Sequence, residues 1–294
     1  MTALVSVLMT AYNAGRYLPI AIDSLLSQSF QGWQLILIDN GSTDASFDAL
    51  ELGDDRIKIF HLPSNIGRTA ALNMAFAKSD TQFTAILDAD DVAMPDRLEL
   101  QLAVFDAFHD VVLVGSGYSQ IFEGRSAVRR LRTFAGIVHH DRLGERNIFV
   151  NSSLMYRTNA AKGVGGYDPL FTYAQDFDLT LKLAVTGQCF MIDKSLVGVR
   201  LHQSSLTNSR GIALKRLDEE AQLFKLAATK LKLSPLGRRL NLRRQALVQV
   251  ELGVTLLRIR LIATSLRAFG AAFRLDPSLS WIIYLLKGRR IPRF

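Results

Sequence analysis

Short apolar segments alternate with amphipathic stretches through the first 115 residues, and this alternation limits the chain to few architectures. Five segments have the length and the continuous apolar character of strands that are covered on both faces: Val5–Ala11, Gln34–Ile38, Ile57–Leu62, Phe83–Leu87 and Val111–Gly115. Apolar stripes with helical spacing lie between them: Leu18, Ile22, Leu25 and Leu26; Ala70, Ala71, Met74 and Ala75; and Leu98, Leu102 and Phe105, with Pro95 expected in the first turn of the third helix. The pattern predicts an α/β fold with a mostly parallel central sheet flanked by helices.

Polar loops follow the first four predicted strands. They are residues 12–13 (YN), 39–44 (DNGSTD), 65–68 (NIGR) and 88–91 (DADD). In parallel α/β sheets, ligands bind outside the carboxyl ends of the strands, so we expect the four loops to form a site at one edge of the sheet. Taken singly, the second loop is better explained as a turn with a helix N-cap, and the third as another turn.

The fourth loop places three aspartates, Asp88, Asp90 and Asp91, directly after a buried strand. Carboxylates this close repel one another and are costly to desolvate. A divalent cation would offset that repulsion, and Mg²⁺ or Mn²⁺ needs only a few carboxylates because water and phosphate oxygens complete its shell. The alternative is a solvated strand end in which Asp91 or Asp96 only caps the next helix. The spacing of Asp88 and Asp90 around Ala89 favours a metal–diphosphate site.

The basic residues are concentrated in the C-terminal part of the chain. The net charge is +8 overall, but residues 215–294 contain 17 Lys+Arg against 5 Asp+Glu, a net charge of +12. The tail combines aromatic and apolar residues with basic ones: Trp281, Ile283, Tyr284 and Leu286 with Lys287, Arg289, Arg290 and Arg293. This suits a helix at an anionic membrane surface, and an ordinary packed helical domain explains it equally well. Nucleic-acid binding is not expected, because aromatic residues are not interleaved with the basic ones.

The bulk properties restrict the location of the protein. A single cysteine, Cys189, excludes a disulfide framework and fits a reducing compartment. No segment reaches the length of uncharged apolar sequence that a membrane-spanning helix needs. We expect a cytoplasmic protein, with peripheral attachment to the inner face of the cell membrane left open.

Three stretches resemble the family 2 glycosyltransferases, which have the GT-A (Rossmann-like) fold that binds nucleotide sugars. The opening "VSVLMTAYNAGRYLPIAIDSLLSQSFQGWQLILIDNGSTD" is similar to that of the family, and "LDADD" is similar to its Asp-X-Asp element. The segment "GGYDPLFTYAQDFDLTLKLAVTG" resembles its acceptor side. The resemblance covers residues 4–208. It implies inverting transfer of a sugar from a nucleoside diphosphate donor, expected to be UDP- or dTDP-linked, to a glycan or lipid-linked acceptor.

The resemblance also implies roles for particular residues. The residues expected to bind the nucleotide sugar are Tyr12, Asn13, Asp39, Asn65, Gly67, Arg68, Asp88, Ala89, Asp90 and Arg200. A divalent cofactor, Mn²⁺ or Mg²⁺, would be held by Asp88, Asp90 and His202, the last in a His-x-x-Ser element. Asp176 stands where the catalytic base belongs, near a helix N-terminus whose dipole favours the ionised carboxylate. The alternative is that Asp176 is only an N-cap and Asp178 a surface charge.

We expect residues 1–210 to form the catalytic domain, with a nucleotide-sugar half at about 1–115 and an acceptor half at about 116–210. Residues 211–294 are expected to form a basic amphipathic helical extension. Thr10, Asn40 and Gln175 depart from the family pattern, in which proline, aspartate and glutamate are usual. The last change removes a negative charge beside the proposed base, which would lower its proton affinity.

Two other functions remain open from the residues alone. One is a non-catalytic nucleotide-sugar-binding protein, against which Asp176 argues. The other is a nucleotidyltransferase on a similar fold. Such an enzyme would carry a Gly-rich basic loop after its first strand, and "TAYNAGRYL" offers only Gly15 and Arg16.

Overall fold

The computed structural model describes residues 3–48, 50, 53–122, 128–130, 134–202 and 210–278. Contacts divide the chain into two compact units. The first comprises Met1–Val138 and Phe149–His202, and the second comprises His139–Ile148 and Gln203–Phe294. The second unit thus includes a short segment from within the acceptor half that the sequence suggested.

A mixed sheet of ten strands forms the centre of the first unit. The strands are β1 Val5–Ala11, β2 Trp33–Asp39, β3 Ile57–His61, β4 Phe83–Ile86, β5 Val92–Ala93, β6 Val111–Phe122, β7 Val128–Arg130, β8 Gly136–Val138, β9 Met155–Arg157 and β10 Gln188–Leu201. Their order across the sheet is β3-β2-β1-β4-β9-β6-β10-β5, with β7 beside β6 and β8 beside β10. The five predicted strands are β1, β2, β3, β4 and the first part of β6.

Six of these strands run in the same direction. β1 is parallel to β2 and β4, β2 is parallel to β3, and β6 is parallel to β10. β9 is antiparallel to both β4 and β6, so those two strands are parallel to one another. The carboxyl ends of β1, β2, β3, β4, β6 and β10 therefore lie at one edge of the sheet. The α/β prediction is confirmed, although β5, β7, β8 and β9 run antiparallel to their neighbours.

Helices surround the sheet and form the second unit. They are α1 Tyr17–Leu26, α2 Arg68–Ala77, α3 Arg97–Ala107, α4 His140–Glu145, α5 Thr158–Gly163, α6 Gln175–Thr186, α7 Arg210–Lys230, α8 Pro235–Arg258 and α9 Ile262–Leu275. A single 3₁₀ turn, Asn151–Ser153, precedes β9. The strands are apolar throughout because they bury both faces: Val7 and Met9 contribute to a core that includes α1 and α3, and Leu8 between them is also fully buried.

The helix faces agree with the predicted stripes in α3 and differ in α2. Leu98, Leu102 and Phe105 are buried, as expected. In α2, however, Ala70 and Met74 are exposed. Its buried residues are Thr69, Ala71, Leu72, Ala75 and Phe76. Thr69 faces inward because its hydroxyl donates to the carbonyl of Phe171, at 2.7 Å.

Two details at the start of α3 and the end of α1 also differ from the prediction. Pro95 lies before the first turn of α3, since the helix begins at Arg97. Leu26 of the predicted α1 stripe is exposed, because it ends the helix.

The second unit is helical. Asn241 of α8 joins three of its elements, because its buried amide nitrogen donates to the carbonyls of Gly144 (2.7 Å) and Phe224 (3.0 Å). α8 begins at a capped N-terminus: the Ser234 hydroxyl accepts from Gly237 N, at 3.0 Å, and Ser234 N donates to Asp141, at 2.9 Å.

None of the helices in the described residues is long and apolar enough to cross a membrane. The aromatic-basic tail, residues 281–294, lies outside the described residues.

Packing around Gly115 in β6 gives a test of the fold. A Cβ at this position would lie 2.2 Å from Cδ1 of the fully buried Phe149. We expect Gly115→Ala to lower the free energy of unfolding by about 1–3 kcal/mol, measured by urea denaturation, because Phe149 has no free space to move into. Gly163→Ala is the matched control, since a Cβ there meets nothing within 4 Å. Equal stabilities for the two variants would contradict the packing.

Candidate active site

The carboxyl edge of the sheet brings together residues from distant parts of the chain. Asp88 and Asp90 follow β4, Arg200 lies near the end of β10, and His202 follows that strand. Arg68 begins α2, and Asp176 lies in the first turn of α6. All six were predicted as site residues, and the contacts described next connect them.

Asp88 is held by two side chains. Arg68 Nη2 donates to its Oδ1 at 2.6 Å, and the amide nitrogen of Asn151 donates to the same oxygen at 2.8 Å. Arg68 is also attracted electrostatically by Asp90 and Asp176. Burial would lower the pKa of Arg68, but these carboxylates outweigh it and raise the pKa above its ordinary value. Arg68 therefore stays charged and links the acidic loop to Asp176.

Asp90 is surrounded by groups from β10 and α1. His202 Nε2 lies 3.0 Å from Asp90 Oδ2, and Arg200 Nε donates to the Asp90 carbonyl at 3.0 Å. Both side chains pack on Tyr17: the His202 ring is 4.8 Å from the Tyr17 ring, and the Arg200 guanidinium lies 4.9 Å from its centroid. Tyr17 thus holds the Arg200 guanidinium and the His202 ring beside the acidic loop.

Asp91 has a structural role that the helix-cap explanation does not describe. Its Oδ1 accepts from the backbone N of Arg200 at 2.9 Å, and its Oδ2 accepts from the hydroxyl of Ser152 at 2.5 Å. Burial, and then the charges of Asp90 and Asp88, raise the pKa of Asp91 well above its usual range. Asp96, the other suggested cap, occupies the N-cap position of α3 without a side-chain cap hydrogen bond and pairs instead with Lys194.

A buried cation lies close to the same cluster. Arg97 of α3 is fully buried, and its Nη2 donates to the carbonyls of Ile86 (2.8 Å) and Leu154 (3.1 Å). Burial lowers the pKa of Arg97 to about 9, although the charges of Asp91 and Asp88 oppose this. Arg97 is therefore a buried positive charge close to the acidic loop.

The oxygen donors fit a hard divalent cation. Carboxylate oxygens of Asp88, Asp90 and Asp91 all lie within 4.8 Å of one another. Both Asp91 oxygens are already hydrogen-bonded, which leaves Asp88 and Asp90 as the better ligands. Asn151 Oδ1, beside Asp88, is buried and has no partner among the described residues. A buried oxygen left unpaired next to two carboxylates is consistent with a site for Mg²⁺ or Mn²⁺.

Asp176 is a carboxylate with a perturbed proton affinity. Burial raises its pKa to about 6, while the positive charge of Arg68 and a backbone hydrogen bond lower it. The sequence suggested that the helix dipole and the absence of a glutamate at 175 would favour the ionised form. Desolvation proves larger than both. A carboxylate with a pKa near neutrality is suited to accept a proton.

Two neighbours of Asp176 in α6, Gln175 and Asp178, are buried. With its amide oriented to satisfy both neighbours, Gln175 donates to the carbonyl of Thr172 (3.0 Å) and accepts from Arg68 Nε (3.3 Å). Gln175 therefore positions Arg68 without adding a charge. Asp178 is buried and paired with Lys182 at 2.8 Å, so its description as a surface charge was wrong.

The loops after β1 and β2 form a second group of predicted residues. Asn13 Oδ1 accepts from Thr43 N at 2.8 Å, and Asp39 Oδ1 accepts from Ser42 N at 2.8 Å. Burial would raise the pKa of Asp39, but hydrogen bonds from His61 and Ser42 outweigh it and lower the pKa. Asp39 is therefore an ionised acceptor at the end of β2.

The loops after β2 and β3 are joined through Asn40. Its amide nitrogen donates to Asn65 Oδ1 (3.2 Å), and its oxygen accepts from Ile66 N (2.9 Å). An aspartate could not make the first bond, which gives a physical reason for asparagine at a position where the family usually has aspartate. Asn65 in turn accepts from Gly67 N at 2.9 Å. The predicted residues Tyr12 and Ala89 differ in exposure, because Tyr12 is half exposed and Ala89 is buried between the two aspartates.

Several residues of the site were not found from the sequence. They are Tyr17, His61, Arg97, Asn151 and Ser152. The sequence also did not predict that Asp91 holds the backbone of Arg200 through a hydrogen bond. Residues 149–153 (FVNSS) look like an ordinary turn, since small polar residues favour turns in any context. Only the position of this segment beside β4 shows that it contacts the aspartates.

Comparisons with known proteins agree with this architecture. The family model for glycosyl transferase family 2 matches residues 6–197. The UDP-Glc:alpha-D-GlcNAc-diphosphoundecaprenol beta-1,3-glucosyltransferase WfgD of Escherichia coli is 27% identical over 216 residues, which make up 72% of this chain and 83% of that protein.

Two solved structures show the same fold. The crystal structure of S. aureus TarS 1-349 in complex with UDP-GlcNAc has a TM-score of 0.71 at 16% identity, over 99% of this chain and 93% of that chain. The mannosyltransferase PcManGT from Pyrobaculum calidifontis, in complex with GDP-Man and Mn²⁺, has a TM-score of 0.60 at 19% identity, over 98% and 80% of the two chains. Because the family model spans well over half of the sequence and the fold is that of these GT-A enzymes, the chain belongs to glycosyl transferase family 2.

Proposed function

We propose that this glycosyltransferase moves a sugar, with inversion, from a nucleoside diphosphate donor to a hydroxyl of a glycan or lipid-linked acceptor. The observation that carries the proposal is the position of Arg68. It hydrogen-bonds Asp88 in the acidic loop and interacts electrostatically with Asp176. One cation thus connects the candidate diphosphate site to the candidate base.

Asp176 acts as the general base. Its carboxylate accepts the proton of the acceptor hydroxyl while that oxygen attacks the anomeric carbon. The bond from carbon to the acceptor oxygen forms as the bond to the diphosphate oxygen breaks, and the electron pair leaves with the diphosphate. A single in-line displacement inverts the anomeric configuration, so no nucleophilic side chain is required.

The departing diphosphate carries negative charge that the site must stabilise. Arg68 and Arg200 supply positive charge around the acidic loop, and Asp88 and Asp90, with His202 nearby, would hold a divalent cation. When bound, that cation supplies Lewis-acid stabilisation of the leaving group. The complex of PcManGT with Mn²⁺ supports divalent metal use, and the choice between Mn²⁺ and Mg²⁺ is open to experiment.

The loops after β1, β2 and β3 bind the nucleoside. Asp39 is a hydrogen-bond acceptor for ribose hydroxyl or base N–H groups, and Tyr12 offers an exposed ring for stacking. Asn13, Asn65 and Gly67 shape the same loops. The names of WfgD and of the TarS complex include UDP-linked sugars, which supports a UDP- or dTDP-linked donor here.

A lipid-linked acceptor is favoured over a free glycan. WfgD is named for an acceptor carried on diphosphoundecaprenol. The net charge of +12 on residues 215–294 would attract the protein to an anionic membrane surface. We therefore include peripheral attachment to the cytoplasmic face of the membrane in the proposal. A nucleotidyltransferase has no support from the family match, and a non-catalytic protein would fail the following tests.

A donor screen tests the reaction and the metal together. Nucleoside diphosphate release is measured with several nucleotide sugars in Mn²⁺ or Mg²⁺, and we expect it to require a divalent cation. Asp90→Ala should abolish turnover while leaving the thermal unfolding temperature near that of the wild type, since Asp90 is partly exposed. Asp96→Ala removes a neighbouring carboxylate outside the site and is the control. Full turnover in excess EDTA would contradict the metal role.

Replacement of the proposed base separates chemistry from binding. Asp176→Asn keeps the shape and cannot accept a proton, so kcat should fall by roughly 10²–10⁴. The dissociation constant of the donor, measured by calorimetry, should change little. Normal turnover combined with lost donor binding would reassign Asp176 to the donor site.

The raised pKa of Asp176 predicts a pH dependence. The base must be ionised, so kcat/KM should rise with pH through a limb at or somewhat below pH 6, since a bound cation would lower the pKa from its value of about 6. Gln175→Glu adds a buried negative charge and should move this limb to higher pH. A limb that stays in place in Gln175→Glu would show that another group titrates.

A further inference from the structure

The second unit exposes apolar side chains from the last turn of α8 through the connecting residues to the end of α9. Six apolar side chains there are between 49% and 64% exposed: Leu257, Ile259, Leu261, Ile262, Leu266 and Phe273. Four arginines accompany them: Arg258, Arg260, Arg267 and Arg274. We call these ten residues the hairpin surface. It shares no residue with the candidate active site.

A separate face of the hairpin is packed where α8 and α9 meet, so this exposure does not come from a poorly formed helix. Ala246, Leu247 and Val250 of α8 bury against Ala272 of α9. The Ser265 hydroxyl donates to the carbonyl of Gly253 at 2.7 Å. With about 100° per residue, positions 262, 266 and 273 fall within roughly 40° of one another on α9. They form an exposed apolar stripe beside the buried face.

Charge restricts what can cover this surface. No acidic residue occurs between Glu251 and Asp276 in the sequence. Within the described chain, no ion pair joins Arg258, Arg260, Arg267 or Arg274 to a carboxylate. A suitable partner must accept apolar side chains and also present negative charge.

The turn itself keeps an arginine at a position that favours glycine. Arg260 has a φ of +64°, in the left-handed region. An L-residue there is strained relative to glycine. The chain therefore places a cation at the tip of the hairpin at the expense of local stability.

We propose that the hairpin surface docks on a bilayer that contains anionic lipid. Apolar side chains would enter the interface while the arginine stems lie along it with their guanidinium groups at the headgroups. This inference rests on the membrane partner proposed above and assigns the contact to the described hairpin in addition to the tail. It concentrates the enzyme where a lipid-linked acceptor is found.

Vesicle co-sedimentation of the full chain tests the assignment. The probes are vesicles of phosphatidylcholine alone and of phosphatidylcholine with 30% phosphatidylglycerol, about a third anionic lipid. Binding should require the anionic lipid and weaken as salt increases. Ile262→Gln with Leu266→Gln should lower the partition coefficient by about tenfold or more. Arg258→Gln with Arg267→Gln should lower it by about tenfold to thirtyfold.

Matched variants at the other end of α8 serve as controls. Arg239→Gln with Arg243→Gln removes the same charge from exposed positions, and Leu236→Gln with Leu242→Gln removes the same apolar groups. Both control pairs should bind vesicles like the wild type. Arg260→Gly gives a second readout, because it should keep or raise the unfolding temperature while weakening vesicle binding by about fivefold.

Three results would overturn the assignment. Equal losses in the hairpin and control pairs would indicate nonspecific attraction by the basic unit. Loss of binding only on truncation after Leu279 would assign the contact to the tail alone. A change of oligomeric state by light scattering, with vesicle binding unchanged, would make the hairpin surface an interface between copies. Nucleoside diphosphate release in lipid-free buffer should be unchanged in all these variants, so a failed catalytic proposal remains distinguishable from a failed membrane proposal.

Discussion

Three aspartates remain close together at the end of β4 because cations and hydrogen-bond donors surround them. Arg68 and Asn151 hold Asp88, and Ser152 and the Arg200 backbone hold Asp91. Carboxylates buried at this spacing without such partners would be protonated or would separate. The partners come from α2, from the turn before β9 and from β10. The fold must therefore bring these three segments together before the acidic loop can keep its form.

The same network adjusts the candidate base. Desolvation raises the pKa of Asp176, and Arg68 moderates the increase. Gln175 supports Arg68 through a neutral hydrogen bond, so the arginine can interact with both Asp88 and Asp176. This arrangement explains why a chain with glutamine in place of the usual glutamate still has a carboxylate with a raised pKa, suited to proton transfer. The positive charge of Arg68 thus acts both at the proposed diphosphate site and at the proposed base.

The strands and the polar loops were predictable because their signals are local. Continuous apolar runs such as Val5–Ala11 predict buried strands, and the aspartates after Phe83–Leu87 predict the loop chemistry. Predictions failed where contacts between residues far apart in the sequence determine burial or hydrogen bonding. Thr69 is buried because its hydroxyl donates to Phe171, and Asp91 accepts a hydrogen bond from β10 instead of capping α3. The raised pKa of Asp176 was not predicted, because the helix dipole and the sequence neighbours are visible in a sequence, whereas desolvation is not.

The sequence by itself determined the α/β class, the order of the strands along the chain, the polar residues at their ends and the concentration of basic charge after residue 215. The tertiary structure decided which of these residues meet. β9 enters between β4 and β6 from far along the chain, and it carries Asn151 and Ser152 to the aspartates. The physical reason is that local periodicity reflects which side of each element is buried, while the partner of a buried polar group depends on strand pairing between segments remote in sequence.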